Sequence, residues 1–62
     1  MRIGIDVGGT NTDAALMNGL NIVTSYKTPT TSDVTSGILE AVGQVQAQSG
    51  VQPDEIDAVM LG

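Results

Sequence analysis

The chain has 62 residues, with seven carboxylates against one arginine and one lysine, for a formal charge of −5. That balance argues against sequence-independent nucleic-acid binding, which needs clustered basic side chains, and no apolar run approaches the ~18 residues of a membrane span. No Cys or His is present, so neither disulfides nor a zinc site can supplement a core that buries only about 60% of the extended chain's surface.

The expectation is therefore one piece of a larger protein. The first residues already read as a strand and not as a basic-then-apolar leader, which makes cytoplasm the default compartment. Ile3, Ile5 and Val7 alternate with Arg2, Gly4 and Asp6, the period-two pattern of a strand, and Asp6 falls near its carboxyl end. After Gly8-Gly9, residues Thr12 to Met17 read as a second strand. Asn18-Gly19 signals a two-residue hairpin, and Leu20 to Lys27 a third strand. Thr28-Pro29-Thr30-Thr31-Ser32 reads as a loop, because proline pushes the preceding residue to extended geometry.

Thr31 or Ser32 can cap the helix that follows, with Asp33 in its first turn. Val34, Ile38, Ala41, Val42 and Val45 recur at helical spacing and form one apolar stripe. Gly37 and Gly43 weaken that helix by roughly 1 kcal/mol each relative to alanine. The helix should end near Ser49, with Gly50 just beyond it. Pro53-Asp54-Glu55 reads as a turn or a single helical turn, and Ile56 to Leu61 as a fourth strand.

These elements predict an α/β fold: a three-stranded antiparallel meander, one crossover helix, and a fourth strand parallel to the first on its far side. Ile3, Ile5, Val7, Leu16, Val59 and Leu61 should share one face, with Val23, Ala58 and Met60 opposite or near it. One helix covers one face only. The other face and the last strand's edge should then favour self-association.

Asp6-Val7-Gly8-Gly9-Thr10-Asn11-Thr12-Asp13 carries the chemistry. Glycines let backbone N–H groups approach phosphate oxygens, the hydroxyl and amide side chains add donors, and a fixed carboxylate can hold Mg²⁺ directly or through its waters. An ordinary tight turn is the plain alternative. No Gly-x-Gly-x-x-Gly and no Gly-Lys-Ser/Thr occurs, so dinucleotide and Walker-type loops are excluded. Plain readings also exist for Asp13 as a strand-edge charge, Lys27 as a solvated lysine, Asp33 as a helix-start charge and Tyr26 as packing.

From Arg2 to Asp13, through Lys27-Thr28-Pro29-Thr30-Thr31, Asp33-Val34 and Gly37-Ile38-Leu39, to Ile56-Asp57-Ala58-Val59-Met60-Leu61-Gly62, the chain resembles the amino-terminal segment of the hydantoinase A / 5-oxoprolinase family. Asp-x-Gly-Gly-Thr alone is shared by many sugar kinases. Thr12-Asp13 and Lys-Thr-Pro-Thr-Thr favour the hydantoinase branch. The resemblance implies residues 1–62 of a ribonuclease-H-like (actin-like ATPase) partial domain and an ATP- and Mg²⁺-dependent hydrolase that opens a cyclic amide such as hydantoin or 5-oxoproline.

By the same resemblance, Asp6 holds the Mg²⁺–phosphate unit through water, and Gly8, Gly9, Thr10, Asn11 and Thr12 contact the phosphates. Asp13 joins Asp6 as a candidate catalytic residue, orienting the turn, pairing outside this segment or facing the substrate. A second hydantoinase subunit is an implied partner. The alternatives are a sugar or small-metabolite kinase and a non-catalytic binding or assembly module. The 62 residues alone are expected to be inactive, since one hairpin cannot bury ATP.

Overall fold

A computed structural model describes all residues, 1–62. Its elements are β1 (Arg2–Val7), β2 (Asn11–Asn18), β3 (Asn21–Pro29), α1 (Val34–Ser49), a 3₁₀ turn (Pro53–Glu55) and β4 (Ala58–Leu61). They form one four-stranded sheet in the order β3-β2-β1-β4. The meander is antiparallel and β4 runs parallel to β1, as the predicted crossover requires. The α/β architecture expected from the sequence is the one observed. No helix is long and apolar enough to cross a membrane.

Register assigns the faces. Ile3 pairs with Leu16 and Val59, Ile5 with Ala14 and Leu61, and Val7 with Thr12, so these side chains lie on one side. Helix α1 packs on that side, chiefly over β2 and β3. The core is Ile3, Ile5, Ala14, Leu16, Ala41 and Val45, with Ile38 and Val42 packed against it. Val59 and Leu61 sit on the same side but stay exposed.

Within α1 the buried stripe includes Gly37 where Val34 was expected; Val34 is exposed. A Cβ on Gly37 would lie 3.9 Å from the Thr12 hydroxyl oxygen, whereas one on Gly43 would meet nothing within 4 Å. Gly37 is therefore the glycine at the sheet, and Gly43 faces solvent.

Four expected boundaries move. The β2–β3 loop is Gly19-Leu20, since Asn18 pairs with Asn21. Gly19 has φ +62° and Leu20 does not share that sign, the pattern of a type II′ turn. Strand β3 continues through Thr28 and Pro29, which pair with Thr12 and Asn11. Proline, which has no N–H to donate, is tolerated there because β3 is an edge strand with no neighbour on its outer side. Strand β4 starts at Ala58, two residues later than expected, because the preceding 3₁₀ turn holds Ile56 N–H on the Pro53 carbonyl.

The fourth correction is the helix cap. Asp33 is the N-cap, with φ −95° and ψ 91°, in place of Thr31 or Ser32. Its carboxylate accepts from the Ser36 hydroxyl at 2.7 Å and the Ser36 N–H at 3.4 Å. The Thr31 hydroxyl is committed elsewhere, donating to the Asp33 carbonyl at 2.8 Å. At the other end Gly50 adopts φ 72° and donates its N–H to the Gln46 carbonyl at 2.9 Å, as the C-terminal glycine predicted.

The Ser36 hydroxyl, then the backbone N–H groups, hold the Asp33 carboxyl below its ordinary range. The unfolded chain therefore takes up this proton more readily than the folded one. The cap's contribution is complete above about pH 4, where an unfolded aspartate ionises, and is lost as pH falls through the lowered folded value. Asp33→Asn keeps a capping oxygen without the charge. Its melting temperature should fall less steeply than wild type below about pH 4, and equal slopes would remove Asp33 from the acid response.

Candidate functional site

Strand β1 ends at Val7 and β2 begins at Asn11, so Gly8, Gly9 and Thr10 form the connection. The Gly8 N–H donates to the Asn11 carbonyl at 2.8 Å and closes the turn. A Cβ on Gly8 would stand 3.1 Å from that same carbonyl oxygen, too tight for any other residue without movement. Gly9 differs. Its φ is not left-handed, and a Cβ there would meet nothing within 4 Å. Nothing inside the chain requires glycine at position 9, and its backbone is open to a close external contact.

The N–H groups of Gly9 and Thr10 take no part in the turn's hydrogen bonds. Both residues are exposed. The Asn11 amide nitrogen donates to the Thr10 hydroxyl oxygen at 3.2 Å, which groups the two polar side chains beside the turn. The hairpin tip thus presents free donors around an uncovered glycine, an arrangement suited to an anion.

Asp6 and Asp13 pair directly across β1 and β2, and Asp13 pairs with Lys27 across β2 and β3. All three lie on the face that α1 leaves open, because their neighbours Ile5, Ala14 and Thr28 face the helix side. Lys27 Nζ stands 3.8 Å from Asp13 Oδ1, a solvent-exposed pair that contributes little stability. Lys27 is exposed, in line with its plain reading as a solvated lysine, and stands beside Asp13 without a hydrogen bond to it. Asp6 has no hydrogen-bond or ion-pair partner among the chain's own polar groups and sits opposite a like charge. Like charges directly opposite on a sheet are unfavourable.

No cluster of three or more acidic side chains gathers here. A divalent cation at Asp6 would complete its shell with waters and phosphate oxygens, which is how Mg²⁺ is commonly held. An unpaired, exposed carboxylate beside free N–H donors fits that role. A shallow concavity of about 540 Å³ on the same face is lined by Asp6, Asp13, Lys27, Ser25, Tyr26 and Met60, among others. None of Gly8 to Asn11 lines it. The concavity and the hairpin tip are therefore adjacent surfaces, joined at Asp6 and Asp13.

Thr12 stands apart from the other candidates. It is 1% exposed and points to the helix side, where its hydroxyl meets the Thr30 hydroxyl at 3.0 Å. Tyr26 is half-buried and packs against the core, in line with its plain reading. Thr30 is the site residue that sequence reasoning misses. It falls within the Lys-Thr-Pro-Thr-Thr segment that carries the resemblance, but nothing in that segment assigns it to the hairpin.

Residues 2–62 match the family of the hydantoinase/oxoprolinase N-terminal region. No curated protein and no solved structure matches the chain.

Proposed function

Because the chain belongs to the hydantoinase/oxoprolinase N-terminal family, we propose that it supplies the first phosphate-binding hairpin of an ATP-dependent enzyme that opens a cyclic amide of the hydantoin or 5-oxoproline type. The observation that carries this reading is the unpartnered Asp6 carboxylate beside Gly9, whose backbone is open and whose N–H is free. Phosphoryl transfer to an amide oxygen converts a poor leaving group into a good one, and depends mainly on positioning and electrostatics.

In this reading the N–H groups of Gly9 and Thr10, with the Asn11 amide, donate to phosphate oxygens. Asp6 holds the waters of Mg²⁺, which supplies charge neutralisation when bound. Gly8 keeps the turn closed and Thr12 braces it from the helix side. Asp13 lines the concavity where the cyclic amide lies. The sheet is the opening of a ribonuclease-H-like, actin-like ATPase lobe, and residues outside this segment enclose the nucleotide.

The exposed β4 edge and open face then serve contacts within that larger assembly or with a second hydantoinase subunit. The charge of −5 disfavours nucleic acid as a partner, and the reading places the enzyme in the cytoplasm.

The test supplies the intact enzyme with Mg²⁺-ATP and either hydantoin or 5-oxoproline. ADP and the ring-opened acid should appear together and only when both substrates are present. Ring opening without nucleotide, or ATP consumption driven by a sugar in place of the amide, would overturn the reading.

A further inference from the structure

We propose that Thr30 is a positioning residue that aims the free Gly9 N–H of the Gly8–Asn11 hairpin at the phosphates; this rests on the reading of that hairpin given above. Thr30 touches the hairpin three times. Its N–H donates to the Thr10 carbonyl at 2.9 Å, its hydroxyl donates to the Gly8 carbonyl at 2.8 Å, and its hydroxyl oxygen lies 3.0 Å from the Thr12 hydroxyl.

The direction of this chain of bonds follows from the acceptors. A carbonyl has no proton to give, so the single Thr30 hydroxyl proton goes to Gly8. Thr12 must then donate to Thr30. The buried Thr12 fixes the Thr30 hydroxyl, and Thr30 fixes the Gly8 carbonyl.

Peptide geometry converts that grip into aim. In a planar trans peptide the C=O and the following N–H point in opposite directions, and no peptide in the chain is cis. Holding the Gly8 carbonyl toward Thr30 turns the Gly9 N–H away from it. The bond from the Thr30 N–H to the Thr10 carbonyl runs from strand to strand and fixes the tip beside β3. The Thr30 hydroxyl meets the buried Thr12 on the helix side, so the Gly9 N–H turns toward the opposite face, where Asp6 and Asp13 stand. Gly9 has an unusually free backbone, and without the Thr30 hydroxyl on the Gly8 carbonyl the plane between Gly8 and Gly9 rotates more freely. Thr30 also lies three residues before the Asp33 cap, which ties the hairpin to the start of α1.

The experiment compares Thr30→Val, which keeps the shape without the hydroxyl, with Thr30→Ser, which keeps the hydroxyl, in the intact enzyme. Mg²⁺-ATP affinity, KM for the cyclic amide, and the NMR order parameter of the Gly9 N–H in the nucleotide-free enzyme are measured. Thr30→Val should weaken Mg²⁺-ATP binding about tenfold, equivalent to about 1.4 kcal/mol, and lower the order parameter of the Gly9 N–H while leaving KM for the amide substrate unchanged. Thr30→Ser should restore both. Wild-type nucleotide affinity in Thr30→Val, failure of Thr30→Ser to restore it, or an equal change in both substrates would overturn the proposal. A wild-type enzyme that binds no Mg²⁺-ATP, with the Gly9 N–H still more mobile in Thr30→Val, would instead overturn the nucleotide reading and the aiming role with it, leaving only a structural clasp.

Discussion

Asp6→Ala lowers the nucleotide-dependent turnover of the intact enzyme by about two to three orders of magnitude, the loss typical of removing one preorganised electrostatic contact. Its melting temperature stays the same or rises slightly. The second half of this expectation follows from the register: Asp6 faces Asp13 across the β1–β2 pair, and Asp6 makes no stabilising contact that the mutation removes. Relieving a like-charge pair should help the sheet marginally. Steady-state ADP release and a thermal melt on the same sample decide the matter. Near-wild-type turnover would take Asp6 out of the metal site, and a large drop in melting temperature would show that it supports the fold.

Leu16→Ala has the opposite profile. Leu16 is fully buried, paired across the sheet with Ile3 on one side and Thr24 on the other, beneath α1. Removing a buried leucine side chain costs about 2–5 kcal/mol. For a unit of 62 residues, stabilities of roughly 0.05–0.15 kcal/mol per residue give a total of about 3–9 kcal/mol. One substitution would therefore remove a large share of the stability this segment can hold by itself. Leu39→Ala, at a site 66% exposed on the same helix, should change stability by less than about 0.5 kcal/mol. Urea titration of both variants in the intact enzyme, read by hydrogen exchange at β2 amides, separates them. Equal effects would mean that the helix does not cover the sheet as described.

The strands are legible in the sequence because their alternation is a direct image of the sheet's two sides. Period two alone assigns Ile3, Ile5 and Leu16 to one face, and the β1–β2 register places them there. Local boundaries are less legible, because several neighbours carry the same chemistry. Thr31, Ser32 and Asp33 can each cap a helix; the role falls to Asp33 once the Thr31 hydroxyl is bonded to the Asp33 carbonyl. Pro29 reads as a loop residue, and only strand order shows that it occupies an edge where proline is tolerated.

Thr12 illustrates a signal present but outweighed. Its hydroxyl suggests a phosphate contact, while its spacing from Ala14 and Leu16 assigns it to the buried side, and spacing prevails. Thr30 is beyond reach of sequence reasoning, since its partners Thr12 and Gly8 lie 18 and 22 residues away along the chain. Contacts at that separation depend on how β3 aligns with β2, which includes a one-residue shift between Leu16 and Met17.

The strict alternation of β1 and β2 also makes the spacing between them unforgiving. Along these two strands every residue that faces the acid row has immediate neighbours in the interior. Losing or gaining a single residue within either strand would exchange the two sets, driving Asp6 or Asp13 under the helix and lifting Ile5 or Ala14 into water. Length variation can be absorbed at the far hairpin, where Leu20 projects wholly into solvent, while the stretch from Arg2 to Asn18 tolerates substitution far better than insertion.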